Sequence, residues 1–289
     1  MNISGHPRIQ FKNNFYSEQK RKADSKCSFH KSVAFMGCLD FSPADFFVNI
    51  HGYGQNFEWA RNLVLVANNA VSSISSKLPA ETVLIGIADG VHKCNRLTCD
   101  ADKIRNSGLL RIRRSGWSCV DSAPELLTRY SGQGVGRYRV YSKKLDQRIL
   151  NPLHCPFFNF GMTTVNMRDN VKFLKHGGVL YVNRALEMTY QRYNKLLTQF
   201  PEFKVGRDNL ENFCSTVAEI RWILAHSTPW VRGSDAIANV YIRSLFKAFG
   251  IKLYPLKKNV SLDLEAYCTE LKDYKENFHN YFVKPPEIP

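Results

Sequence analysis

Acidic residues are scarce in this sequence, long apolar runs are missing, and its cysteines do not cluster. Only 25 Asp and Glu stand against 40 Lys and Arg, a formal charge of +15 over 289 residues. A surplus of that size favours an anionic partner such as nucleic acid, a membrane surface, an acidic protein or a nucleotide. The longest apolar stretches, Leu63 to Val66 and Val83 to Ile87, fall far short of the ~20 residues that span a bilayer. No transmembrane helix is expected. The eight cysteines, at 27, 38, 94, 99, 119, 155, 214 and 268, lack the tight even spacing of a disulfide framework or of paired zinc knuckles. Reduced thiols are the simplest reading. His92-x-Cys94-x4-Cys99 lacks a fourth ligand, so no metal site is predicted. Met1 to Gly5 carries no apolar run of the Sec type, and Asn2 rules out direct N-myristoylation.

What is present is a hydrophobic fraction of 44%, enough for a packed core. The charge is concentrated: residues 1–34 hold seven basic and two acidic side chains, and residues 101–150 hold eleven against four. Residues 1–32 are polar, basic and aperiodic, which reads as a flexible basic leader and a secretion signal, and residues 33–289 read as one domain. Helical spacing begins at Ser42-Pro43 and runs through Phe46, Phe47, Ile50, Trp59, Leu63, Val66 and Ala67. Residues 78–91 fit a buried helix or a strand, with helix preferred. Segments 109–114, 136–142 and 157–165 are aromatic and β-branched, predicting a small β-element with a row of exposed arginines. Helices are then expected over roughly 169–176, 183–199, 208–227, 234–249 and 262–283. The fold class is mainly α with a small β-hairpin or β-element.

The most informative segment starts at Asp208-Asn-Leu-Glu211, a capping-box variant. Leu210, Phe213, Val217, Ile220 and Leu224 form one apolar stripe, and Pro229 must end that helix because it has no N–H and disfavours helical geometry at Thr228. Trp230-Val-Arg232-Gly233-Ser234-Asp235 follows. A second stripe, Ile237, Val240, Tyr241, Leu245 and Ala248, ends at Gly250, a left-handed cap. Gly233 lets the backbone bend, Ser234 or Asp235 can cap the second helix, and its first amides suit a phosphate or carboxylate. Arg232 stands beside them as a bidentate clamp for a diphosphate, or as an ordinary solvated arginine.

The run Val217 to Tyr241, with Phe249-Gly250-Ile251, resembles the core of the Fic/Doc (Fido) superfamily and most closely its AvrB branch of plant-pathogen type III effectors. That branch has a proline, two variable residues and Arg-Gly-Ser ahead of a helix that ends in glycine. Val260-Ser-Leu-Asp263-Leu-Glu-Ala266 is similar to its segment bearing a functional aspartate. The resemblance implies a Fido-like helical bundle and assigns functional roles to Arg232 and Asp263. It also places Ser107, in Ser107-Gly-Leu-Leu-Arg111, where the family has a functional threonine. His176-Gly-Gly-Val179 replaces a polar loop of the family.

Nucleotidyl-transferring Fic proteins use a histidine base and a metal-holding acid in this loop. Alignment on Pro229 and Gly233 puts Thr228 at the histidine, Arg232 at the acid and Ala236 at the final arginine. That mechanism does not run unchanged on this chain, and an arginine in the acid's place points to a nucleoside diphosphate leaving without Mg²⁺. The resemblance implies transfer of a deoxyhexose such as rhamnose from a nucleotide sugar to Ser or Thr of a host protein, with no cofactor and Mg²⁺ inessential. Asp263 is then the carboxylate beside the anomeric carbon. Arg232, Asp263 and His226 are the candidate catalytic residues; Gly233, Ser234, Thr228, Ser107 and Arg111 are candidates for binding the nucleotide and substrate. His226 fits either a base or an ordinary helix-end histidine. The implied partners are the host acceptor, the nucleotide sugar and a type III secretion chaperone, and the implied location is the host cytoplasm after secretion. Arg111, Arg113, Arg114 and Trp117 allow a nucleic-acid surface, but no known nucleic-acid-binding signature accompanies them. AMP transfer and a non-catalytic phosphoprotein scaffold are the competing readings.

Overall fold

The computed structural model describes residues 40–47, 56–98, 110, 164–168, 171–175, 179–258 and 260–289. Over these residues the chain is mainly helical, as its periodicity predicts. The helices are α1 (Phe57–Ser75), α2 (Ala80–Thr98), α3 (Val179–Gln199), α4 (Leu210–Ser227), α5 (Ser234–Ala248), α6 (Leu262–Cys268) and α7 (Leu271–Asn277). Single 3-10 turns cover Pro43–Phe46, Arg207–Asn209 and Phe278–Tyr281. Strands β1 (Thr164–Arg168) and β2 (Val171–Lys175) pair antiparallel, with Thr164 opposite Lys175 and Arg168 opposite Val171.

The centre of the fold is the hairpin of α4 and α5. Every residue of α4 from Ile220 to Ser227 and of α5 from Ile237 to Lys247 is buried. Helices enclosed on all sides need neighbours on all sides. α1 and α2 supply one wall, presenting Ala60, Leu63, Ala67 and Ile74 from α1 and Val83, Ile87 and Val91 from α2. The two helices press together at Gly90, where an added Cβ would lie 2.6 Å from a Val66 methyl. α3 closes another side, and Arg192 reaches Glu219 of α4 through Nε at 2.9 Å and Nη2 at 2.8 Å. Phe200, Phe213, Phe246 and Phe249 form an aromatic core with ring centroids 5.1–6.2 Å apart. After α5 the chain runs extended, and the C-terminal tail lies antiparallel on it through Lys252 with Glu287 and Leu256 with Phe282.

Several expectations are corrected. Among the described residues, the segment expected to turn helical at Pro43 makes a 3-10 turn over Pro43–Phe46 and is extended at Phe47; residues 48–55 lie outside the described residues, and α1 begins at Phe57, capped by Asn56 Oδ1 accepting the Trp59 N–H at 2.9 Å. Residues 171–175, expected as part of a helix over 169–176, are β2 and pair with β1; a helix that short is marginal on its own. Asp208 lies inside the 3-10 turn, so its predicted capping box with Glu211 does not form, and Asn209 is the N-cap. The single helix expected over 262–283 is three pieces. It breaks at Thr269, which is extended and gives its carbonyl to Trp222 Nε1 at 3.0 Å. The 1–32 leader and the arginine-rich segments 111–114 and 136–142 lie outside the described residues. No helix among the described residues is long and apolar enough to cross a membrane. Cys94 and Cys214 are free thiols, and burial pushes them up to about 11 and about 12.

Candidate functional site

The α4–α5 connection is built from local rules. α4 ends at Ser227, and Thr228 turns left-handed at φ 43, donating its N–H to Leu224 O at 3.0 Å and its hydroxyl to Ala225 O at 3.1 Å. Pro229 and Trp230 are buried, and Trp230 forms an antiparallel bridge with Leu110. Trp230 is thus a packing anchor. Gly233, at φ 84, turns the chain into α5, a conformation that costs glycine little and other residues more. Neither Ser234 nor Asp235 caps the helix: the N-cap is Gly233. The Ser234 hydroxyl instead closes the loop on itself, accepting from Trp230 N at 3.0 Å and donating to Trp230 O at 2.9 Å. Arg232 is half-buried one residue before that turn.

Asp235 pairs with Arg221, whose side chain is fully buried on α4. The pair joins the two helices beneath the loop. Burial, and then the nearby charge of Asp263, push the Asp235 carboxyl from 3.8 up to about 7, against the pull of Arg221. Asp263 therefore lies within electrostatic reach of the first turn of α5 although it follows Asp235 by 28 residues. Its Oδ1 accepts from the Ser261 hydroxyl and from Leu264 N. The result is a cluster of two carboxylates and one guanidinium under the Arg232 loop, with a net charge of −1 when all three are ionised.

His226, a candidate base in the sequence, takes a different role. It is fully buried, its ring lies 3.9 Å from that of Trp222, and Nε2 is 2.9 Å from Ala266 O. The carbonyl is an acceptor, so Nε2 carries the proton. Together with the Trp222 bond to Thr269, this bond fastens α6 to α4 and sets where Asp263 stands. Ser107 and Arg111 lie outside the described residues.

Arg221 was not singled out from the sequence, and Asp235 was read only as a candidate helix cap. A signal for Arg221 was present, because its neighbours three and four positions away, Val217, Ala218, Leu224 and Ala225, are all apolar. A charge so placed must be buried, and a buried charge needs a partner. Among the described residues no group of three metal-ligating side chains is found.

Residues 168–285 match the AvrB_AvrC family of avirulence proteins. The matched stretch holds the whole α4–α5 hairpin, Arg232 and Asp263 but neither α1 nor α2, and it covers under half of the chain. No curated protein matches the chain.

Proposed function

We propose that the chain is a bacterial effector that works inside a host cell as a Fido-like glycosyltransferase, moving a deoxyhexose such as rhamnose from a nucleotide sugar to a Ser or Thr hydroxyl of a host protein. The match to avirulence proteins supports the effector part. The chemistry is supported by one observation above all: Asp263, remote in sequence, acts electrostatically on Asp235, three residues beyond Arg232. In this reading Arg232 and the first amides of α5 hold the donor diphosphate. The acceptor oxygen bonds to the anomeric carbon, the bond from that carbon to the diphosphate oxygen breaks, and the nucleoside diphosphate leaves with the electron pair. The hydroxyl proton passes to the Asp263 carboxylate, which also offsets the positive charge growing on the sugar.

Incubating the chain with nucleotide sugars and host lysate, followed by intact-mass analysis, tests the reading. A host protein should gain one deoxyhexose with wild type and not with Arg232→Ala or Asp263→Asn. Identical spectra for all three chains with every donor would sink the proposal. A gain of one nucleotide would assign the site to AMP transfer instead.

A further inference from the structure

Asp263 is held by a neighbour in a way that helix capping does not require. Ser261 is the N-cap of α6, with its backbone extended at φ -131 and its carbonyl accepting from Glu265 N at 2.9 Å. A serine in that place normally lends its side-chain oxygen to the second or third amide of the helix. Here it caps neither. The third amide, Leu264 N, donates to Asp263 Oδ1 at 2.8 Å, and the Ser261 hydroxyl donates to the same oxygen.

Holding Oδ1 against the backbone sets both torsions of the Asp263 side chain, and with them the place of Oδ2. Among the described residues Oδ2 accepts no hydrogen bond, so it is the oxygen left for chemistry. The serine is itself fixed: it is 5% exposed and stands between Val260 and Leu262, both buried. Tyr274 of α7 donates its hydroxyl to Leu262 O at 3.2 Å, and His226 ties Ala266 O to α4, so the backbone on both sides of Asp263 is fastened to other helices. A hydroxyl on that frame has little freedom to swing away. Asp263 is only half-buried, and without the serine its carboxylate has more than one rotamer open to it.

We propose that Ser261 is a positioning residue of the transferase site: its hydroxyl holds Oδ1 of Asp263, so that Oδ2 receives the acceptor's proton as the acceptor oxygen bonds to the anomeric carbon and the nucleoside diphosphate leaves. This role rests on the transferase reading above, in which Arg232 binds the donor. Loss of the Ser261 hydroxyl therefore acts on the chemical step and leaves donor binding intact. A misplacement of about 1 Å at such a step can cost on the order of 10²-fold in rate.

Two readouts on the full chain test the proposal. With isotopically labelled aspartate carboxyls, the Asp263 signal, identified by its absence in Asp263→Asn, should move in Ser261→Ala at pH 8 and return towards its wild-type position in Ser261→Thr. In glycosyl transfer, Ser261→Ala should lower kcat about 10–100-fold with the donor KM within about twofold of wild type, and Ser261→Thr should recover most of the loss. An Asp263 signal unmoved in Ser261→Ala overturns the proposal whatever the activity. So does a Ser261→Ala chain whose kcat matches wild type or whose loss falls on KM alone. Absence of transfer by wild type with every donor sinks the transferase reading and the catalytic role of Ser261 with it, whereas the Asp263 signal separately decides whether Ser261 holds the carboxylate.

Discussion

Arg221 and Arg243 are both buried in the same helical hairpin, and both face an aspartate, yet their surroundings have opposite signs. Arg221 meets Asp235 directly, and Asp263 adds a second carboxylate, so its cluster is anionic. Arg243 meets an aspartate that Ser42 already holds, and Lys247 adds a second cation, so its cluster is cationic. The same buried guanidinium is thus used in two ways. In an anionic cluster it is a counterion that lets two carboxylates stand close together; in a cationic one it stands beside a second buried positive charge. The sum of the neighbouring charges, more than the arginine itself, decides whether such a site holds a proton.

The largest expected difference is in stability. At pH 8, where Asp235 is ionised, Arg221→Met leaves its carboxylate without a counterion and should cost about 3–5 kcal/mol in urea unfolding. Arg221→Met with Asp235→Leu should recover most of the loss, because removing both charges removes the desolvation penalty as well. Arg243→Met should cost less, about 1–3 kcal/mol, since Asp45 keeps both bonds to Ser42. Equal losses at the two arginines would dissolve the contrast between the clusters.

A smaller effect separates positioning from proton transfer at His226. His226→Phe keeps a ring against Trp222 but loses the bond to Ala266, so stability should fall by about 1 kcal/mol. Glycosyl transfer, if observed, should fall several-fold with an unchanged pH profile between pH 6 and 8. A general base would lose about 10²–10⁴-fold and take one limb of that profile with it.

Much of the frame around these clusters was legible in the sequence, because α3, α4 and α5 obey local rules. Leu210, Phe213, Val217 and Ile220 declare the buried stripe of α4, Pro229 its end, and Gly250 the end of α5, where its φ is 72 as a left-handed cap requires. What escaped detection depends on chain segments meeting from afar. Thr269 breaks the last helical pattern because Trp222, 47 residues earlier, takes its carbonyl. Asp45 and Arg243 are separated by most of the chain, and no periodicity links them. The two arginines also differed in visibility. Arg221 is ringed by apolar residues at helical spacing, whereas Arg243 has Asn239 and Lys247 four positions away and reads as half-exposed until the fold encloses it.

The finest test of the anionic cluster is its pH dependence. Asp235 holds its proton up to about 7 in the folded chain, against an ordinary 3.8. Between those values the folded chain keeps a proton that the unfolded chain has released, so this group's contribution makes stability fall as pH rises from about 4 to about 7 and leaves it flat above that. Asp263→Asn removes the second of the two causes that raise Asp235, after burial. It should lower the upper end of that window, readable from urea midpoints at pH 5, 6, 7 and 8. Lys247→Met, in the cationic cluster, should leave the window where it is. If Asp263→Asn leaves it unmoved as well, Asp263 does not act on Asp235, and the observation that carries the proposed reaction is lost.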